Sequence, residues 1–132
     1  MDEKAQAALA TDRLIDITTI GRKSGKPRRI EITFHNIDSR IYISGSPGRR
    51  DWYANLLENP EFEFHLKQST RADLPARAEP ITEESAKREI LRPIVKKWGR
   101  EDKLEIFVAR SPLVEVFLDG AEEAGQDDPG QD

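Results

Sequence analysis

Apolar positions in this chain recur with two different periods. Residues 13–20 are rich in Ile and Thr, residues 28–35 alternate Ile30, Ile32 and Phe34 with polar partners, and residues 40–45 alternate Ile41 and Ile43 with Tyr42 and Ser44. A period of two places one side chain in two on a buried face, so three strands are predicted. The loop 21–27, with its two glycines, joins the first pair as a hairpin, and the turn 36–39 joins the second. After Ser46-Pro47-Gly48 the spacing lengthens. With Asp51 as cap, Trp52/Leu56 and Tyr53/Leu57 form i, i+4 pairs of a short helix that Asn59-Pro60 ends. Alternation returns over 61–68, with Phe62, Phe64 and Leu66 on one side, and over 71–81, with Leu74, Ala76 and Ala78. Thr82 is the expected N-cap of a second helix, acidic at its start (Glu83, Glu84), basic at its end (Lys96, Lys97) and stopped by Gly99. Its apolar stripe is Ile90, Leu91, Ile94, Val95 and Trp98, and Pro93 predicts a kink or a split. A further short helix is expected over 101–109, a closing strand over 113–118, and no more than a polar helical turn or frayed lead-in over 1–10. Six short strands, mostly hairpin-connected, with helices inserted between them predict a mainly β, α+β fold: an antiparallel barrel. A doubly wound α/β sheet is the weaker alternative.

Length fits this picture, since 132 residues make one domain, with the function expected within residues 1–119. Residues 120–132 hold Gly, Asp, Gln and Pro with no large apolar side chain and are expected to be a disordered acidic tail. The absence of cysteine excludes disulfides, thiol nucleophiles and cysteine metal sites and points to a reducing cytoplasm. With only His35 and His65, a histidine-rich metal site is excluded too. No apolar run approaches a membrane span, and the first residues lack the order of a signal peptide, so a soluble, unprocessed chain without membrane insertion is expected.

Charge changes the picture more. The net −4 is set by six acids from Asp119 onward, so the rest of the chain holds 21 bases against 19 acids. Within that near-neutral body Arg22, Lys23, Lys26, Arg28 and Arg29 fall in eight positions without an acid, and Arg49-Arg50 add a second basic point. A focused patch of this kind is a candidate anion receptor, whereas the small net charge argues against nucleic acid as a partner. In Thr18-Thr19-Ile20-Gly21-Arg22-Lys23-Ser24-Gly25-Lys26-Pro27-Arg28 the cations Arg22, Lys23 and Arg28, the Ser24 hydroxyl and a close-approaching backbone at Gly25 converge on one loop. The order of residues is not that of a Walker loop. A plain hairpin with solvated charges is the competing reading.

The second motif, Ser44-Gly45-Ser46-Pro47-Gly48-Arg49-Arg50-Asp51-Trp52, runs from a strand end into a helix start. Small residues there let backbone approach a flat ring, and the free N–H groups of the helix start can bond ring carbonyls; an ordinary strand-to-helix loop would use the same residues. Trp52 either lies against a ligand or anchors its helix. Asn55 is expected to bond backbone and fix a loop, and His35 and His65, out of phase with Phe34, Phe64 and Leu66, are expected on the surface.

These two motifs, followed by Asn55-Leu56-Leu57-Glu58-Asn59-Pro60, resemble the deazaflavin-dependent nitroreductase family, flavin and deazaflavin oxidoreductases with a split β-barrel like that of pyridoxamine phosphate oxidase. The resemblance spans about residues 12–119 and is densest over 18–60. It implies reduced coenzyme F420, an 8-hydroxy-5-deazaflavin, held by its phosphate and polyglutamate tail at Arg22, Lys23, Ser24 and Arg28. It also implies hydride transfer to a small electrophilic acceptor such as an activated C=C, a quinone or a nitro compound, and it admits a homodimer. Two departures matter. Glu31 stands where many members have Pro, and the C-terminal tyrosines that line the nitroreductase pocket are missing, the only tyrosines being Tyr42 and Tyr53. Tyr42 and Ser44 are the weak catalytic candidates. FMN on the same fold is the first rival, and a non-catalytic flavin- or tetrapyrrole-binding protein the second.

Overall fold

The computed structural model describes residues 1–119; the expected tail at 120–132 lies outside the described residues. Six strands close into one antiparallel barrel in the order β1-β2-β3-β6-β5-β4: β1 (Leu14–Ile20), β2 (Pro27–Ile37), β3 (Arg40–Ser44), β4 (Glu61–Leu66), β5 (Ala72–Pro80) and β6 (Leu113–Leu118). Antiparallel pairing runs all the way round, so the sheet has no free edge to pair with another chain. The predicted alternation is what fills it: Ile15, Ile17, Phe34, Ile41, Ile43, Phe64, Ala76 and Val116 point inward and are buried. The β2–β3 turn is tighter than the sequence suggested. β2 extends to Ile37 and only Asp38 and Ser39 turn the chain, at φ 53 and 68, the two left-handed residues of a type I′ hairpin.

The N-terminal residues are more than a lead-in. Helix α1 (Glu3–Thr11) is capped by Asp2, whose carboxylate accepts from the Lys4 N–H at 2.8 Å, and it buries Ala5, Ala8 and Leu9 in the barrel core. Alanines at i and i+3 make a small apolar face that is easily missed in a polar segment. Helix α2 (Asp51–Glu58) has Arg50, not Asp51, at its N-cap, and no side-chain cap bond.

Helix α3 (Glu84–Lys97) differs from expectation at both marked residues. Glu83, not Thr82, caps it, accepting from Ser85 N at 3.1 Å and Ala86 N at 2.8 Å. Pro93 does not split it, because Pro93 and Glu89 lie on the solvent side, where water can take the carbonyl bond that proline leaves open. Its stripe, with α4 (Leu104–Arg110) behind a short 3₁₀ turn, forms a second cluster of Leu91, Ile94, Val95, Phe107, Val108 and Leu113 against the outer face of β3.

That helical cover corrects the surface assignment of the histidines. His35 does point out of the barrel, but Trp98 covers it edge-on at 5.4 Å, leaving it 2% exposed with no partner for either ring nitrogen among the described residues. His65 is 3% exposed and holds three strands together, its Nε2 2.7 Å from the Thr18 hydroxyl on β1 and its Nδ1 2.6 Å from the Asp73 carboxylate on β5. Being out of phase with the barrel core does not mean solvent when a second layer lies outside it.

Candidate functional site

The basic hairpin is built to be compact. Gly21 N–H donates to the Lys26 carbonyl at 2.8 Å, Gly25 N–H to the Gly21 carbonyl at 2.9 Å, and Lys26 N–H to the Ser24 hydroxyl at 3.1 Å. The Ser24 hydroxyl folds over Gly21 so closely that a Cβ there would lie 2.6 Å from it, and Gly25 sits at φ +71. A side chain at the first residue of the loop would displace the Ser24 hydroxyl from Lys26, and the fifth residue has the conformation that favours glycine.

Helix α2 lies against this hairpin, and between them opens a cavity of about 510 Å³. The hairpin contributes Gly21, Arg22, Lys23, Ser24 and Arg28; the strands contribute Thr19 and Ile30; α2 contributes Asp51, Trp52 and Asn55. Buried Asn55 is the tie between the two walls: its Oδ1 accepts from the Arg22 N–H at 3.0 Å and from Arg22 Nη1 at 2.9 Å, and its Nδ2 donates to the Thr19 hydroxyl at 3.3 Å. The expected backbone bond of Asn55 is thus present, together with two side-chain bonds.

Arg22 also meets the Asp51 carboxylate at 3.3 Å, an exposed pair of the kind usually worth under about 1 kcal/mol. The loop itself holds no acid, as its sequence says, but this pair and Asn55 mean that Arg22 is not a free cation. Three cations against one carboxylate leave the cavity positive, while Ile30, 38% exposed, and Trp52 give it apolar surface. Such a lining suits a ligand with an anionic end and a flat organic part.

The second motif is brought to the cavity only at its end. Asp51 and Trp52 line it, Trp52 being also 7% exposed and part of the core, so it both anchors and borders. Ser44 is buried and its hydroxyl donates to the Pro112 carbonyl at 2.7 Å. The Arg50 guanidinium curls back to the Arg49 and Ser46 carbonyls at 2.8 and 3.0 Å and packs beside Gly45 and Gly48. Gly48, at φ +126, donates to the Arg110 carbonyl at 3.1 Å. Ser44, Gly45, Ser46, Pro47, Gly48, Arg49 and Arg50 are not among the residues lining the cavity. Tyr42 lies in the second cluster beneath α3, on the opposite face of its strand from the core, and burial raises its phenol's pKa. Sequence reading missed Gly21, Thr19, Ile30 and Asn55 as cavity residues. The signal for Thr19 was available, a hydroxyl on the core phase of β1 two residues after Ile17.

A closed antiparallel barrel with helices inserted between its strands and a ligand-sized cavity beside one hairpin has the architecture of the split barrels, the fold shared with the structures that follow. Solved structures agree on the fold. A protein described as a pyridoxamine 5'-phosphate oxidase from Listeria innocua shares it at 16% identity and TM-score 0.67, over 88% of this chain and 91% of that one. An F420-H2 dependent reductase, FDR-A, matches at 19% identity and TM-score 0.61, over 80% and 95%. A domain-swapped dimer matches at 18% identity and TM-score 0.58, over 80% and 79%. The family profile described as F420H(2)-dependent quinone reductase matches residues 4–115, and the chain belongs to that family. It is an F420-dependent oxidoreductase. The residues present fit the coenzyme by their donor chemistry: guanidinium, ammonium and hydroxyl donors line the cavity together with Ile30 and Trp52.

Proposed function

We propose that this protein reduces a small organic electrophile, an activated C=C, a quinone or a nitro compound, with coenzyme F420 held in the hairpin cavity. The observation that carries the reading is the cavity itself, with Arg22, Lys23 and Arg28 converging on it beside Ile30 and Trp52. When bound, the reduced deazaflavin supplies a hydride, and with it the redox chemistry. The chain's residues bind and orient. Arg22, Lys23 and Arg28 with Ser24 hold the anionic end; Asn55 fixes Arg22 by two bonds, so that this cation is pre-organised before ligand arrives. The indole of Trp52 and the side chain of Ile30 exclude water from the flat part. The loop 44–50 acts from behind: the Arg50 brace and the Gly48 bond to Arg110 set where α2 begins, and so where Asp51, Trp52 and Asn55 stand.

Neither tyrosine serves this cavity as a proton donor in the described residues, and solvent water at its open mouth can protonate the product. We place the protein in the cytoplasm, where a chain without cysteine fits as well as any, and a homodimer is the assembly suggested by the domain-swapped relative. Among the described residues no helix is long and apolar enough to cross a membrane. The test is spectroscopic: the purified protein is titrated with F420 and with FMN. Binding of F420, and oxidation of its reduced form F420H2 that depends on added quinone, supports the reading, and tighter binding of FMN counts against it.

A further inference from the structure

The hydrogen bonds around Asn55 determine more than the shape of the hairpin. The Arg22 main-chain N–H and its guanidinium can only donate, and both point at the same atom of the Asn55 carboxamide, at 3.0 and 2.9 Å. That atom must be the oxygen, so the amide cannot be flipped. Its other atom is therefore the nitrogen, which can only donate, and it lies 3.3 Å from the Thr19 hydroxyl oxygen. Thr19 is the acceptor in that bond. Its own O–H has to point elsewhere, and among the described residues its side chain makes no other hydrogen bond. Thr19 is 2% exposed, yet it lines the cavity. A buried hydroxyl proton without an acceptor is costly, and a ligand atom in the cavity would remove the cost.

We propose that Thr19 is a ligand-binding donor, its hydroxyl turned by Asn55 toward the cavity to give a hydrogen bond to an anionic oxygen of the bound molecule. The anion is argued from the surroundings. Arg22 bonds the same carboxamide, and Arg28, the cross-strand partner of Thr19, lines the same cavity, so two guanidinium side chains share the cavity with the hydroxyl. The long cations supply charge, whereas a fixed hydroxyl supplies direction, because it rewards only an acceptor placed along one line. Asn55 is the positioning residue. The inference rests on the cavity being the coenzyme site and deepens that reading by one contact.

Affinities of the apo protein for intact coenzyme F420 and, separately, for inorganic pyrophosphate test it, in wild type, Thr19→Val and Thr19→Ser. Loss of one hydrogen bond to a charged group predicts about tenfold or more weaker binding of both probes in Thr19→Val, with Thr19→Ser within about twofold of wild type. Should Thr19→Val not fold, Thr19→Ala carries the same prediction. Weakening for the coenzyme but not for pyrophosphate supports the donor and assigns its acceptor to the carboxylate tail. If wild type binds pyrophosphate but not the coenzyme, the cavity reading fails while the Thr19 effect on pyrophosphate still decides the donor. Unchanged binding in Thr19→Val, equal losses in Thr19→Val and Thr19→Ser, or no binding of either probe by wild type would overturn the proposal.

Discussion

Replacing His35 by leucine should remove about 2 kcal/mol of the acid sensitivity of this fold between pH 7.5 and about 5. The ring is 2% exposed, packs edge-on against Trp98 and has no partner for either nitrogen among the described residues. Burial lowers its pKa from 6.5 to about 4, with smaller contributions from the positive charges of Lys97 and Arg13. The sign follows from which state binds the proton. A depressed folded pKa means that the unfolded chain takes up the proton first, so the stability is fully present above pH 6.5 and is lost as pH falls toward 4. At 1.36 kcal/mol per unit the whole effect is about 3 kcal/mol, of which about 2 kcal/mol is lost on going from pH 7.5 to 5. Urea unfolding of wild type and His35→Leu at both values measures it, since every other group is common to both proteins and cancels in the difference. Wild type should lose about 2 kcal/mol more than the variant. If the two proteins lose the same amount, His35 takes up its proton in the folded state without penalty and the account of the second cluster is wrong.

The site yields three further predictions. Lys23→Ala should leave the melting temperature of the apo protein unchanged, whereas Arg22→Ala, which loses its bonds to Asn55 and Asp51, should cost about 1 kcal/mol in urea unfolding. Gly21→Ala should destabilise by about 1 kcal/mol in the same assay, because the new methyl would push the Ser24 hydroxyl off the Lys26 N–H. Asp51→Asn should tighten coenzyme binding by a few-fold at low salt, since the one carboxylate lining the cavity among the described residues is removed, and the gain should shrink as salt is raised.

The barrel was legible because β1, β3 and β4 alternate apolar and polar positions and short polar or glycine-bearing segments separate the strands, so phase and boundary agree. What alternation cannot report is a second layer. His35 and Tyr42 look like solvent-facing residues until α3 and α4 are placed over them, and nothing local in 35–42 encodes that cover. Half of the site was legible for a related reason. The hairpin cations are neighbours in sequence, so their convergence is local, whereas Thr19, Ile30 and Asn55 meet only through the β1–β2 register and the packing of α2 on β1. In the loop 44–50 the small residues suggest room for a ring, and the structure places the chain's own Arg50 beside Gly45 and Gly48. A long side chain six residues or fewer away is an occupant that glycine counting overlooks.

The central claim is that the basic hairpin holds the anionic end of coenzyme F420. Its most direct test is a fluorescence titration of Lys23→Ala and wild type with the intact coenzyme and with a deazaflavin lacking the phosphate and tail, at matched salt. Loss of one charge-assisted bond predicts about tenfold or more weaker binding of the intact coenzyme by the variant, with the phosphate-free ligand bound equally by both proteins. Equal weakening of the two ligands, or no weakening of either, would contradict it.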